Sequence, residues 1–171
     1  MKTKVVFTIL LTVIFSLPAF SQDMPQAQKN IMKFQGKWSS NDIKINMGGQ
    51  TYSGDYTFDC VPVNGNTGIQ AHEKFVNKDL GTMLAENLLG YDPNLGQVHL
   101  YTIDNMGTTH DHYGYWIDDN HLFLQYQGVV DGKMYVEQLD MVFQGPNKLV
   151  FKLNAMLNGE TFEQAKGTFV K

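Results

Sequence analysis

Lys148-Leu149-Val150-Phe151-Lys152-Leu153-Asn154-Ala155-Met156-Leu157 is the stretch on which the fold turns. Leu149, Phe151, Leu153, Ala155 and Leu157 alternate with Lys148, Val150, Lys152, Asn154 and Met156. A period of two puts the first set on one plainly apolar face, which is the signature of a half-buried β-strand. The same alternation places Tyr52, Tyr56, Phe58 and Cys60 opposite Ser53, Asp55, Thr57 and Asp59. It also separates Leu122, Leu124 and Tyr126 from Phe123, Gln125 and Gln127.

Turn signals separate such segments throughout the chain. They are Gly48-Gly49, Asn64-Gly65-Asn66, Asp79-Leu80-Gly81, Asp92-Pro93-Asn94-Leu95-Gly96, Asp104-Asn105-Met106-Gly107, Asp118-Asp119-Asn120, Asp131-Gly132, Gly145-Pro146-Asn147 and Asn158-Gly159. Gly and Asn accept positive φ, and Asp caps its own turn. Nine turns divide ten strands, and their short connections imply antiparallel neighbours in chain order. Left open, such a meander would expose two sheet edges. Closure removes both, and an even strand count lets the first and last strands pair antiparallel. The expectation is an all-β, closed up-and-down antiparallel barrel of about ten strands spanning residues 36–171.

Residues 22–35 form a leader before the barrel. Pro25 sits near a first turn, and Ala27, Ile31 and Phe34 recur at i, i+4 and i+7, which predicts a short amphipathic helix able to cover one barrel end. Residues 1–21 read as a signal peptide: Lys2 and Lys4, an apolar run from Val5 to Leu17, Pro18, and then Ala19-Phe20-Ser21. That run is too short to span a hydrocarbon core of ~30 Å, so no stable membrane anchor is expected. Cleavage near Ser21 would leave an exported protein, periplasmic or secreted.

Charge narrows the partners. All 13 basic residues are lysines. Removing Lys2 and Lys4 leaves 11 lysines against 17 acids, a formal charge of −6 over 150 residues. Nucleic-acid binding needs a basic face, usually with arginine forks, so that class is excluded. The single Cys rules out an internal disulfide framework and a paired-thiolate zinc site.

The leader runs into Phe34-Gln35-Gly36-Lys37-Trp38, and a short helix followed by Gly-x-Trp at the first strand of a meander barrel resembles the lipocalin-like (calycin) group. Gly90-Tyr91-Asp92 and Asp104-Asn105-Met106-Gly107 look like an uncharacterised bacterial branch of secreted or cytosolic domains. The resemblance spans about residues 34–171. It implies a barrel whose Trp38 closes one end and whose interior takes a ligand. Many lipocalins set an arginine from the last strand against this tryptophan, whereas this chain offers only Lys166 or Lys171. The arginines with which fatty-acid-binding relatives hold a carboxylate are also missing. No functional residue is carried over from the resemblance.

Ten strands should enclose a cavity, because barrel diameter grows with strand number. The inward faces are expected to carry Trp38, Tyr56, Phe58, Leu100, Trp116, Leu124, Tyr126, Phe151 and Leu153. Of these, Tyr56, Phe58, Trp116, Tyr126 and Phe151, together with His112, are the expected ligand-binding set. The bound partner would be a small apolar or amphipathic molecule, held without being transformed.

His110-Asp111-His112 puts two imidazoles on one strand face, which suits a shared metal or a haem. A metal site needs a third ligand, and His72, His99 and His121 cannot be placed from sequence. No metal ligand set and no cofactor is therefore assigned, and metal or haem binding stands as an alternative. Catalytic residues are not assigned either: there is no Gly-x-Ser-x-Gly elbow, and Cys60 on an apolar face reads as an inert small hydrophobe. Glu160 and Glu163 read as solvated. An enzyme or a partner-binding structural barrel completes the alternatives.

Overall fold

The computed structural model describes residues 24–171, so the signal-peptide reading lies outside the described residues. Ten strands follow a short helix. They are β1 (Gly36–Met47), β2 (Gln50–Val63), β3 (Gly68–Asn77), β4 (Gly81–Asp92), β5 (Gln97–Asp104), β6 (Thr109–Asp118), β7 (His121–Val130), β8 (Lys133–Phe143), β9 (Lys148–Leu157) and β10 (Glu160–Val170). Each strand pairs antiparallel with its neighbours in the chain, and β1 pairs with β10 to close the barrel. The nine expected turns are the nine hairpin connections. Asp131-Gly132 and Asn158-Gly159 adopt the paired positive φ (50° and 73°; 53° and 83°) that lets a two-residue turn match the right-handed twist of its strands.

Closure at the β1–β10 seam is not a perfect ladder. The register shifts between Ser39 and Lys44, where β1 bulges. Asp42 fills the gap: its Oδ1 accepts the Thr168 backbone N–H at 3.0 Å and the Ser40 hydroxyl at 2.6 Å. These bonds, the serine's first, hold the Asp42 carboxyl below its ordinary pKa. Gly167 stands opposite, where a Cβ would crowd the Ile43 side chain.

The leader folds as α1 (Gln26–Ile31) continued by one 3-10 turn (Met32–Phe34), with Pro25 as N-cap. Ile31 and Phe34 are buried, as the periodicity requires. The helix sits at the end where β1 begins, against β3 and β4. Asn30 Nδ2 donates to Asp119 Oδ1 at 3.3 Å, and Lys33 binds the Asp119 carbonyl and Asn120. Trp38 is 1% exposed and donates its Nε1–H to the Phe34 carbonyl at 2.6 Å. Of the two lysines available, Lys171 takes the cation's place, with Nζ 4.4 Å from the Trp38 ring. Phe34, Trp116 and Phe143 complete an aromatic floor with ring centroids 4.8–6.4 Å apart.

Candidate functional site: a polar belt in an apolar barrel

Above that floor lies a cavity of about 430 Å³. Its wall includes Met106, Val130 and Phe162, which are 70%, 45% and 44% exposed, so the mouth is at the end opposite the helix. Strand directions then sort the lining into two zones. Toward the helix it is apolar: Phe58 and Phe169 stand 4.3 Å apart, with Tyr56 and Phe151 edge-on to that pair, and Ile69, Leu89 and Leu100 nearby. Nearer the mouth a polar belt of Glu73, Asn87, Thr102, Asp104, His110, His112, Tyr135, Glu137 and Glu163 enters the lining, with apolar Met83, Met106, Val130, Leu157 and Phe162 at the rim. Among the described residues, no lysine lines the cavity.

Ladder register assembles the belt. Asn87 pairs with Thr102, and Thr102 pairs with His110. Tyr126 pairs with Glu137, and Ala155 lies between Glu137 and Glu163. Thr102 Oγ1 donates to Asn87 Oδ1 and Asn87 Nδ2 donates to Glu73 Oε2, both at 2.6 Å. Glu137 is the hub of the other half. His112 Nε2 lies 3.0 Å from its Oε1, Tyr135 donates its hydroxyl to Oε2 at 2.6 Å, and His110 Nδ1 is 3.6 Å from Oε2. The Tyr126 ring stacks on His110 at 4.1 Å, fixing the imidazole plane.

These neighbours set the charges. Burial raises the Glu137 carboxyl, but the hydrogen bond and charge of His112, with help from Tyr135 and His110, outweigh it and hold the group below its ordinary value. Glu73 is pushed up to about 7 by burial, against the Asn87 hydrogen bond and with the Glu137 charge adding. Glu163 also rises to about 7, through burial and then Glu137. Burial lowers His110, outweighing the Glu137 attraction, and raises the Tyr135 phenol.

Of the six residues expected to bind a ligand, Tyr56, Phe58, His112 and Phe151 line the cavity. Tyr126 faces inward but touches the site through His110. Trp116 does not line the cavity. It shares a face with His110 and His112, yet four residues along a strand is about 13 Å, and that distance carries it down to the floor, against Phe34 and Phe143. Trp38 and Leu124 are likewise buried outside the cavity lining.

Glu163 reverses the solvated reading, because it stands in the cavity wall. His72 and His99 pair with carboxylates on the outer surface, at 2.7 and 3.3 Å. His121 Nε2 lies 3.1 Å from Asp140 Oδ1 but off the direction a hydrogen bond needs. The partner that the His-x-His pair lacked is therefore Glu137. One signal in the sequence marks it: a carboxylate at inward parity between Tyr135 and Leu139.

The geometry defines a class: a closed ten-stranded antiparallel barrel with one capped end and a polar-belted cavity. No family model matches the chain, and no curated protein matches it. Among solved structures it is similar to a de novo designed fluorescence-activating beta barrel, at 11% identity and a TM-score of 0.44. The match covers 82% of this chain and 95% of that one.

Proposed function

We propose that this chain is an exported, non-catalytic binding protein of lipocalin-like type, which holds one small amphipathic molecule inside the barrel. The observation that carries the reading is the zoned cavity of about 430 Å³, apolar and aromatic at depth, with a belt of polar side chains nearer the mouth. That volume lies in the range of small-molecule sites, and an apolar wall with a few convergent polar groups is their usual chemistry. Apolar ligand surface leaving water supplies ~25 cal/mol per Å², while the belt orients the polar end. Carboxyl groups outnumber imidazoles in the belt, and cationic side chains are lacking among the described lining residues. The preferred ligand therefore presents hydrogen-bond donors or a positive group, rather than a carboxylate.

Native mass spectrometry of protein taken gently from its own host tests the reading, alongside titration with an environment-sensitive apolar dye. An adduct of a few hundred daltons and saturable dye binding are expected. Ala71→Trp fills the cavity wall and should abolish both, whereas Lys74→Trp, on the outer face of the same strand, should leave both intact. Bare protein in repeated preparations, with dye binding indifferent to Ala71→Trp, would overturn it.

A further inference from the structure

From the geometry of His110, His112 and Glu137 we infer a divalent-metal site of the zinc type in the barrel wall, with its open coordination position facing the cavity. One donor atom from each residue can be chosen so that all three lie within 4.8 Å of one another. Tetrahedral zinc with bonds of about 2.0–2.2 Å sets its donors about 3.4 Å apart. The two imidazoles stand off the two oxygens of the Glu137 carboxylate, His112 Nε2 3.0 Å from Oε1 and His110 Nδ1 3.6 Å from Oε2, separations on either side of that edge. The third edge, between the two imidazoles, lies within 4.8 Å, so forming the three-ligand set draws the side chains together around the ion.

Three features distinguish this trio from an incidental group of polar side chains. The first is burial: His112 and Glu137 are 3% and 8% exposed, unlike the His72–Glu86 and His99–Asp111 pairs at the outer surface. The second is an outer shell of the kind that orients metal ligands. Tyr135 donates its hydroxyl to Glu137 Oε2 and so fixes the carboxylate plane, and Tyr126 stacks on His110. The third is that hydrogen bonds within the protein do not account for the whole cluster. His110 Nδ1 stops 3.6 Å from Glu137 Oε2, short of a hydrogen bond, which leaves that nitrogen available to an ion.

The donor set also chooses the ion. Two imidazoles and one carboxylate suit Zn²⁺, Co²⁺ or Ni²⁺, whereas Ca²⁺ and Mg²⁺ need more oxygen ligands than this wall offers. Because all three residues line the cavity, the fourth position points into the space where a guest would lie. The site goes beyond the carrier reading and does not depend on it, since the apolar zone can hold a guest without metal.

The test uses the full mature chain, stripped with EDTA and carrying no histidine tag. Zn²⁺ is titrated calorimetrically, and Co²⁺ is followed by its visible absorption. One equivalent should bind to the native chain, with tetrahedral cobalt bands and a higher Tm in excess Zn²⁺. His110→Ala and His112→Ala should each weaken binding by a hundredfold or more. Tyr135→Phe should weaken it about tenfold, as expected for an outer-shell partner. His99→Ala should change nothing. Far-UV circular dichroism checks folding, and His110→Ala, in the less buried part of the wall, serves if His112→Ala does not fold. Absence of stoichiometric binding, or binding unchanged in His110→Ala, overturns the site. Retained dye binding in that same protein would leave the carrier reading standing.

Discussion

Replacing Trp38 by alanine should cost more stability than most other single truncations in this chain. The indole is 1% exposed, and a fully buried tryptophan removes 150–250 Å² from water, roughly 4–6 kcal/mol at ~25 cal/mol per Å². Truncation to Ala gives up most of that area, in line with the 3–5 kcal/mol typical of such changes. The Nε1–H bond to Phe34 adds about 1 kcal/mol, and the Lys171 ammonium above the ring about 0.5–1 kcal/mol. These contributions overlap, so the expected loss is about 4 kcal/mol, a large share of a domain stability of roughly 5–15 kcal/mol. Trp38→Phe keeps the ring but not the hydrogen bond, and should lose only about 1–2 kcal/mol. Urea unfolding followed by far-UV circular dichroism is the suitable assay, since Trp116 remains and would complicate fluorescence. A loss below about 1.5 kcal/mol for Trp38→Ala at unchanged m-value would refute the view that this tryptophan anchors the capped end.

Buried carboxyls give the cavity a pH signature. Glu73 and Glu163 rise to about 7 in the folded chain. The folded state therefore binds more protons than the unfolded state between about pH 4.5 and 7, and the two groups destabilise the fold as pH climbs through that window. Each contributes on the order of 1–3 kcal/mol, discounted because both keep some contact with water. Glu73 faces Asn87, Glu137, His112 and Asp104, and Glu163 faces Glu137, while His110, lowered by burial, pulls the opposite way. The clean measurement is thus a difference. Glu73→Gln with Glu163→Gln should gain stability over the native chain at pH 8 and gain little at pH 5; an equal gain at both would count against it. Cys60, pushed up to about 12 chiefly by burial, should react with a disulfide reagent at pH 8 only on the timescale of unfolding. Rapid stoichiometric labelling of the native protein would contradict its place in the wall.

The strands were legible because two local signals agreed: a period-2 apolar face and a turn residue with the right φ at each end. Lys148–Leu157 and the Asn158-Gly159 turn that follows it carry both signals within a dozen residues. The site was legible only in part. His110 and His112 declare themselves by spacing on one strand, but Glu137 comes from a strand two positions around the barrel. Its approach to them depends on shear and closure, which no local pattern encodes. The same holds for Glu163, whose inward aim follows a register shift between Thr161 and Glu163. A bulge of that kind swaps which residues face inward, so parity counted from the turn misassigns them. Trp116 was misplaced for the opposite reason: its face was right, but parity says nothing of depth.

The β1–β10 ladder makes the sheet a loop without a natural beginning. Ser39 lies across from Val170, so the beginning of β1 and the end of β10 stand side by side beneath the cap. Apart from the bulge that Asp42 fills, the β1–β10 pair is an antiparallel ladder like those joined by the Gly48-Gly49 and Asp131-Gly132 turns on the far rim. The order in which the strands are written along the polypeptide is thus a historical choice. The container is specified by who stands next to whom, and a circular rearrangement of the same segments would describe the same vessel.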